Sequence, residues 1–157
     1  MNKFTATLAG ALVAWPVWAT GLDDPLEAWR AMPTQVFSSE EIGALDPFLW
    51  VARPIVVFAD SENDPRFQTQ MELLLARLPA LEERDVVLVT DTDPAAGSAL
   101  RLSLRPRGFM VALIGKDGGV KLRKPFPWDV REFSRSIDKM PMRQQEIRDE
   151  KQGVIAE

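Results

Sequence analysis

Three carboxylates, Asp60, Glu62 and Asp64, alternate with Ser61 and Asn63 directly after the apolar run Ile55–Ala59. Carboxylates gathered where a strand feeds a helix can do general acid–base chemistry, provided that they share one pocket and their environments differ. Such a site would need a cation, Arg53 or Arg107, to converge with them. A calcium loop counted from Asp60 would need glycine at its sixth position and a bidentate glutamate at its twelfth. Those positions hold Pro65 and Met71, so the motif fails. The plainer reading is a solvated loop whose last acid, Asp64, caps the helix that Pro65 begins.

The second candidate is basic. Residues 101–124 carry seven bases and one acid, whereas residues 20–100 carry 15 acids and five bases. Within and beside that stretch, Arg53, Arg107, Lys116, Lys121 and Arg123 are candidate contacts for a small anionic ligand or an acidic protein partner. The alternative is that Lys121 and Arg123, on one side of an edge strand, only block unwanted sheet pairing. Gly115-Lys116-Asp117-Gly118-Gly119 lacks both the spacing of a phosphate loop and a following helix, and reads as a hairpin turn. The formal charge of −4 argues against a general nucleic-acid binder.

Much chemistry is excluded outright. The 157 residues include no cysteine and no histidine. Thiol redox chemistry, Ser-His-Asp or Cys-His catalysis and His/Cys zinc sites cannot exist within this chain. No cofactor or metal is expected.

The elements that must position these residues follow from pattern. Residues 54–59 and 86–89 read as buried strands, apolar throughout as expected between helical layers. Asp64-Pro65 opens a helix with Phe67, Met71, Leu74, Leu75 and Leu78 on one stripe, ended by Pro79. Asp93-Pro94 opens another, running to about Leu104 with Ala96, Leu100 and Leu104 inward. Phe109–Ile114 is a third strand, and Val120–Lys124 returns as an alternating edge strand. Pro127 opens a helix with Val130, Phe133, Ile137 and Met140 inward. The order β-α-β-α-β-β-α predicts a thioredoxin-like three-layer α/β/α fold with a central mixed four-stranded sheet. It spans 51–141, after a helical lead-in over 20–50 and before a polar helix or tail over 142–157. In the lead-in, Asp24-Pro25 starts a helix with Leu26 and Trp29 inward. Ser38 and Glu41 make a capping box for a helix reaching Leu45.

The N-terminus has one cation, Lys3, an uncharged run from Phe4, and Val17-Trp18-Ala19. That pattern predicts an export signal over 1–19, cleaved after Ala19. The run is short for a bilayer span, and Pro16 interrupts it. The expected setting is the periplasm of a Gram-negative bacterium, with the membrane only as the export route.

The stretch from Trp50 to Glu146 resembles the bacterial family known as domain of unknown function 4174. The resemblance rests on Arg53-Pro54, Phe58, Asp64-Pro65-Arg66, Glu83-Arg84-Asp85 and Gly108-Phe109. It rests most on Leu113–Gly119 with Lys121, and on Ile137–Glu146 with its Met140-Pro141-Met142-Arg143 segment. It implies a thioredoxin- or peroxiredoxin-like fold, similar to a domain of animal sushi-repeat extracellular-matrix proteins. In thioredoxin-like enzymes the redox cysteines follow the first strand, which here is Asp60–Asp64. A cis proline heads the third strand, where this chain has Met110. The reading is thus an exported, non-redox binding module. The alternatives are a carboxylate/Arg enzyme working at the loop after the first strand, and a stress-related protein that uses a partner's thiols.

Overall fold

The structure, a computed structural model, describes residues 24–153. The expected export signal and its cleavage point after Ala19 lie outside them. Five strands form one mixed sheet: β1 (Val36–Ser38), β2 (Arg53–Phe58), β3 (Val86–Asp91), β4 (Met110–Ile114) and β5 (Val120–Lys124). Their spatial order is β1-β3-β2-β4-β5. β1 and β2 both run parallel to β3, and β4 runs antiparallel to β2 and to β5.

The sheet has one strand more than the expected four. β1 lies in the lead-in, where three residues ending at the capping-box Ser38 are too few to show periodicity. Pairing against β3, with Phe37 opposite Val89, supplies what local pattern does not. The capping box is present, Ser38 and Glu41 exchanging hydrogen bonds of 2.7 and 3.2 Å. It opens α2 (Ser39–Ile42), which stops at Gly43 rather than reaching Leu45. α1 (Pro25–Ala31) begins at the Asp24 cap as expected and buries Trp29.

Both faces of the sheet are covered. One core cluster joins Trp29, Phe37, Phe48, Val56, Phe58, Leu100 and Leu104, beneath the lead-in and α5 (Ala99–Leu104). The other joins Ile55, Val57, Leu74, Leu81, Val111, Phe133 and Ile137, beneath α3 (Pro65–Leu75), α4 (Leu78–Glu82) and α6 (Val130–Asp138). Neighbouring residues of β2 point to opposite faces, so Ile55 and Val56 enter different clusters. Pro54 sits second in β2, not first. The Arg53 amide donates to Asp85 O at 2.7 Å on the β3 side. The missing N–H of Pro54 therefore points toward β4, whose pairing begins only at Ile55.

Two helices differ from expectation. Asp93-Pro94 opens only a short 3-10 turn, Pro94–Ala96, because Gly97 turns left-handed with φ of 58°. Ser98 then caps α5 afresh, and Ala96 is exposed while Leu100 and Leu104 are buried. Pro79 does not end α3. It occupies the first turn of α4, where a proline is tolerated. On α3 the fully buried side chains are Leu74 and Gln70, while Leu75 is exposed. The Gln70 amide hydrogen-bonds both backbone groups of Trp128, at 3.0 and 2.7 Å. That contact fixes the entry to α6, which Asp129 caps two residues after Pro127. The final helix α7 (Pro141–Lys151) is polar, and its buried residue is Arg143. No helix among the described residues is long and apolar enough to cross a membrane.

Candidate functional site

The acidic loop leaves the C-terminal end of β2, and its three carboxylates have different partners. Asp64 caps α3 and is clamped by Arg66, whose Nε and NH2 donate at 3.1 and 2.8 Å. That side-chain bond, with the Arg66 backbone N–H, holds the Asp64 carboxyl below its ordinary value. Glu62 points into solvent. Asp60 is two-thirds exposed, with Oδ1 4.0 Å from Arg101 NH1. Arg101 is committed elsewhere: its Nε bonds buried Asp91 at 2.6 Å, and NH2 bonds the Ala59 carbonyl. Arg53 begins β2 whereas Asp60 follows its end, roughly 20 Å away at 3.3 Å per residue. Arg107 lies across the adjoining Gly108 turn and pairs with none of the three. Asp60 and Asp64 share one open hollow with Arg66, but Glu62, Arg53 and Arg107 do not line it, and its one cation is already spent on Asp64.

At the N-terminal end of β2 the ionisable groups do converge. Arg53 is 1% exposed and donates to the Arg84 carbonyl at 2.9 Å and to Glu146 Oε1 at 2.8 Å. Lys116, from the β4–β5 turn, meets the same Oε1 and Asp85 Oδ2, each at 2.8 Å. Arg84 forks onto both oxygens of Asp138 at 2.9 Å. Buried Arg143 reaches Glu146 and Glu150 at 3.3 and 3.1 Å, while its Nε has no hydrogen-bond partner. Burial alone would raise the Glu146 carboxyl, but hydrogen bonds from Arg53 and Lys116 outweigh it and hold the group below its ordinary value. Arg84 is raised, chiefly by its bond to Asp138. Polar residues from stretches far apart in sequence thus close into one network that fastens α7 to the sheet. Arg53 and Lys116 are neutralised from within it. Lys121 is likewise tied to Asp117 at 2.6 Å across the hairpin. Arg53, Lys116 and Lys121 do line one hollow of about 390 Å³ with Trp50 and Met142, but each of the three cations is already paired with a carboxylate.

The remaining candidates lie at the opposite pole, beside the start of β4 and the end of β5. Arg105, Arg107, Arg123 and Lys124 line a cavity of about 260 Å³ together with Phe109, Met110 and Pro125. None of these four cations is ion-paired among the described residues, whereas the buried Arg53 and Arg143 and the half-buried Arg84, Arg101 and Lys116 are. Arg123 is anchored by NH1 to the Leu104 carbonyl at 2.7 Å. Lys124, the next residue of β5, leaves the opposite face, its Nζ 4.6 Å from the centroid of the Trp128 ring. Arg66 covers the Phe109 ring at 5.5 Å, so this pocket adjoins the acidic loop. Of its cations, sequence reasoning selected Arg107 and Arg123 and passed over Arg105 and Lys124. The available signal was the whole basic run, since its members at 105, 107, 123 and 124 flank the two ends of one hairpin. A larger apolar cleft, about 370 Å³, lies between Phe48, Leu100, Leu104 and Ile114 and contains no cation.

Among the described residues no group of histidine, cysteine and carboxylate side chains is placed to hold a metal. Fold and site together define a mixed α/β domain without thiol or imidazole, with a closed ion network at one pole of its sheet and an open basic pocket at the other. The chain belongs to the family described as domain of unknown function (DUF4174), which matches residues 44–146. That range takes in Trp50–Glu146, and with it Arg53, Arg84, Asp85, Lys116, Asp138, Arg143 and Glu146 of the closed network. No curated protein and no solved structure matches the chain at significance.

Proposed function

We propose that the protein is an exported, non-redox thioredoxin-like domain that binds an anionic ligand or the acidic surface of a protein at its basic pocket. The strand order, two parallel pairs followed by an antiparallel hairpin, supports the thioredoxin-like reading. So does the position of the acidic loop, which follows β2 where such enzymes keep their cysteines. Met110 heads β4 opposite Phe58, and no peptide bond among the described residues is cis. The charged N-terminus and short apolar run over 1–19 support export to a periplasm. Nucleic acid is a poor partner for a chain of net charge −4.

One observation carries the binding reading: Arg105, Arg107 and Arg123, beside one pocket, have no carboxylate partner among the described residues. Like charges held together repel, and an anion relieves that repulsion. The carboxylate-enzyme reading has less support, because Asp64 is spent on Arg66 and Arg53 is at the far pole. A reaction with a partner's thiols has no residue here that favours it.

Titration of the full chain with inorganic phosphate, followed by amide chemical shifts, tests the reading. Saturable shifts are expected at Arg105–Met110 and at Arg123–Lys124, and none at Lys116 or Glu146. Shifts that never saturate, or that centre on the Lys116 network, would overturn it.

A further inference from the structure

We infer that the ligand of the basic pocket is a compact organic phosphate monoester, a dianion carried on an apolar or aromatic group. The inference rests on the anion-binding reading above and adds the chemical class. Charge sets the first requirement. A single carboxylate would leave most of the charge on Arg105, Arg107 and Arg123 uncompensated, whereas a phosphate monoester brings about −1.5 to −2 at neutral pH. All three cations are guanidinium groups, whose planar forks match tetrahedral oxyanions. Arg123 is already positioned by its tether to Leu104 O. Less side-chain freedom is then lost on binding.

The walls set the second requirement. Phe109, Met110 and Pro125 supply apolar surface inside the pocket, and Phe126, half exposed, continues it outside. Bare phosphate would leave that surface wet, whereas an attached apolar group would cover it. The third requirement is size. A hollow of about 260 Å³ is matched in size by a phosphate with one ring attached. Asp60 and Glu62 on the adjoining loop would repel a long polyanion that ran past the pocket.

The test compares three probes on the full chain by calorimetry: inorganic phosphate, phenyl phosphate and phenol. Phenyl phosphate is expected to bind about tenfold more tightly than inorganic phosphate, and phenol not measurably. Arg105→Gln with Arg107→Gln should weaken phenyl phosphate by more than about tenfold, since each charge-assisted contact is strong. Arg131→Gln with Lys139→Gln, cations outside the pocket, should leave it unchanged, with circular dichroism confirming that both variants fold. If the two phosphates bind equally, the ester inference falls and the anion site stands. If neither binds, the anion site falls with it. An equal loss in the control pair would mean that the overall field attracts phosphate, and the assigned pocket would be wrong.

Discussion

Glu146 is the single residue on which the closed network turns, because Arg53 and Lys116 both donate to its Oε1 at 2.8 Å. Its carboxyl titrates below the ordinary 4.5 in the folded chain, against an ordinary value when unfolded. The unfolded state therefore binds more protons across that window. The contribution of this group is full above about pH 4.5 and is lost as pH falls through the lower folded value. Glu146→Gln keeps an acceptor and removes the charge. It should destabilise by about 1–3 kcal/mol at neutral pH, and the deficit should shrink as the medium is acidified below the ordinary value. Urea midpoints measured at several pH values would show it; parallel curves for the two proteins would mean that Glu146 is not the titrating partner. Phe133, fully buried, gives the apolar comparison. Its replacement by alanine should cost about 3–5 kcal/mol at every pH, whereas Phe126→Ala, half exposed, should stay within about 0.5 kcal/mol. Which residues are buried was largely legible from spacing, as Leu74, Val130, Phe133 and Ile137 show. Gln70 and Arg53 were not legible. A buried amide or guanidinium is recognised only by its partners, Trp128 and Glu146, which lie 58 and 93 residues further along the chain.

The same division holds for whole elements. Helix starts fixed by a local side-chain cap were readable at Asp24, Ser38 and Asp64, whose bonds fall within three residues. β1 and the break between Ala96 and Ala99 were not, since the first exists through β3 and the second through Gly97. The β4–β5 hairpin was readable down to its turn, and it supplies an element-scale prediction. Gly118 has φ of 76°, and a Cβ there would stand 2.8 Å from Leu49 Cδ2. Gly97 has φ of 58° with nothing within 4 Å. Each alanine variant bears the left-handed penalty of about 1–2 kcal/mol, and only Gly118→Ala must also displace Leu49. Gly118→Ala should therefore be the less stable of the two, and Leu49→Ala added to it should narrow the gap. Equal losses would show that Leu49 yields freely. α7 gives a second test. With Arg143 as its buried residue, the helix is held by ion pairs rather than by an apolar stripe. Glu146→Gln should accelerate hydrogen exchange in Pro141–Lys151 while β2 amides keep their protection. Uniform loss across both segments would mean that α7 and the sheet open as one unit.

At the scale of the molecule, the two poles of the sheet should answer salt differently. The closed pole keeps Arg53 and Arg143 almost wholly inside, 1% and 3% exposed, with carboxylates at contact distance. The two guanidinium groups are shielded while Asp85 and Glu150 reach solvent, so screening acts on this pole less than on fully exposed pairs. The open pole presents Arg105 and Arg107 to solvent with no carboxylate partner among the described residues. Attraction of an anion to it operates through water, over a screening length that shrinks from about 10 Å at 0.1 M salt to about 3 Å at 1 M. Raising sodium chloride across that range should weaken phenyl phosphate binding by about tenfold or more, because several cations act together. The urea midpoint of the unliganded protein should change little by comparison. Chloride should compete directly for the pocket, so sodium fluoride at equal ionic strength, more weakly attracted to guanidinium, should weaken binding less. If stability and affinity fall together with salt, the network around Glu146 is as open to solvent as the pocket, and the contrast between a pole that holds the fold and a pole that recognises a ligand is lost.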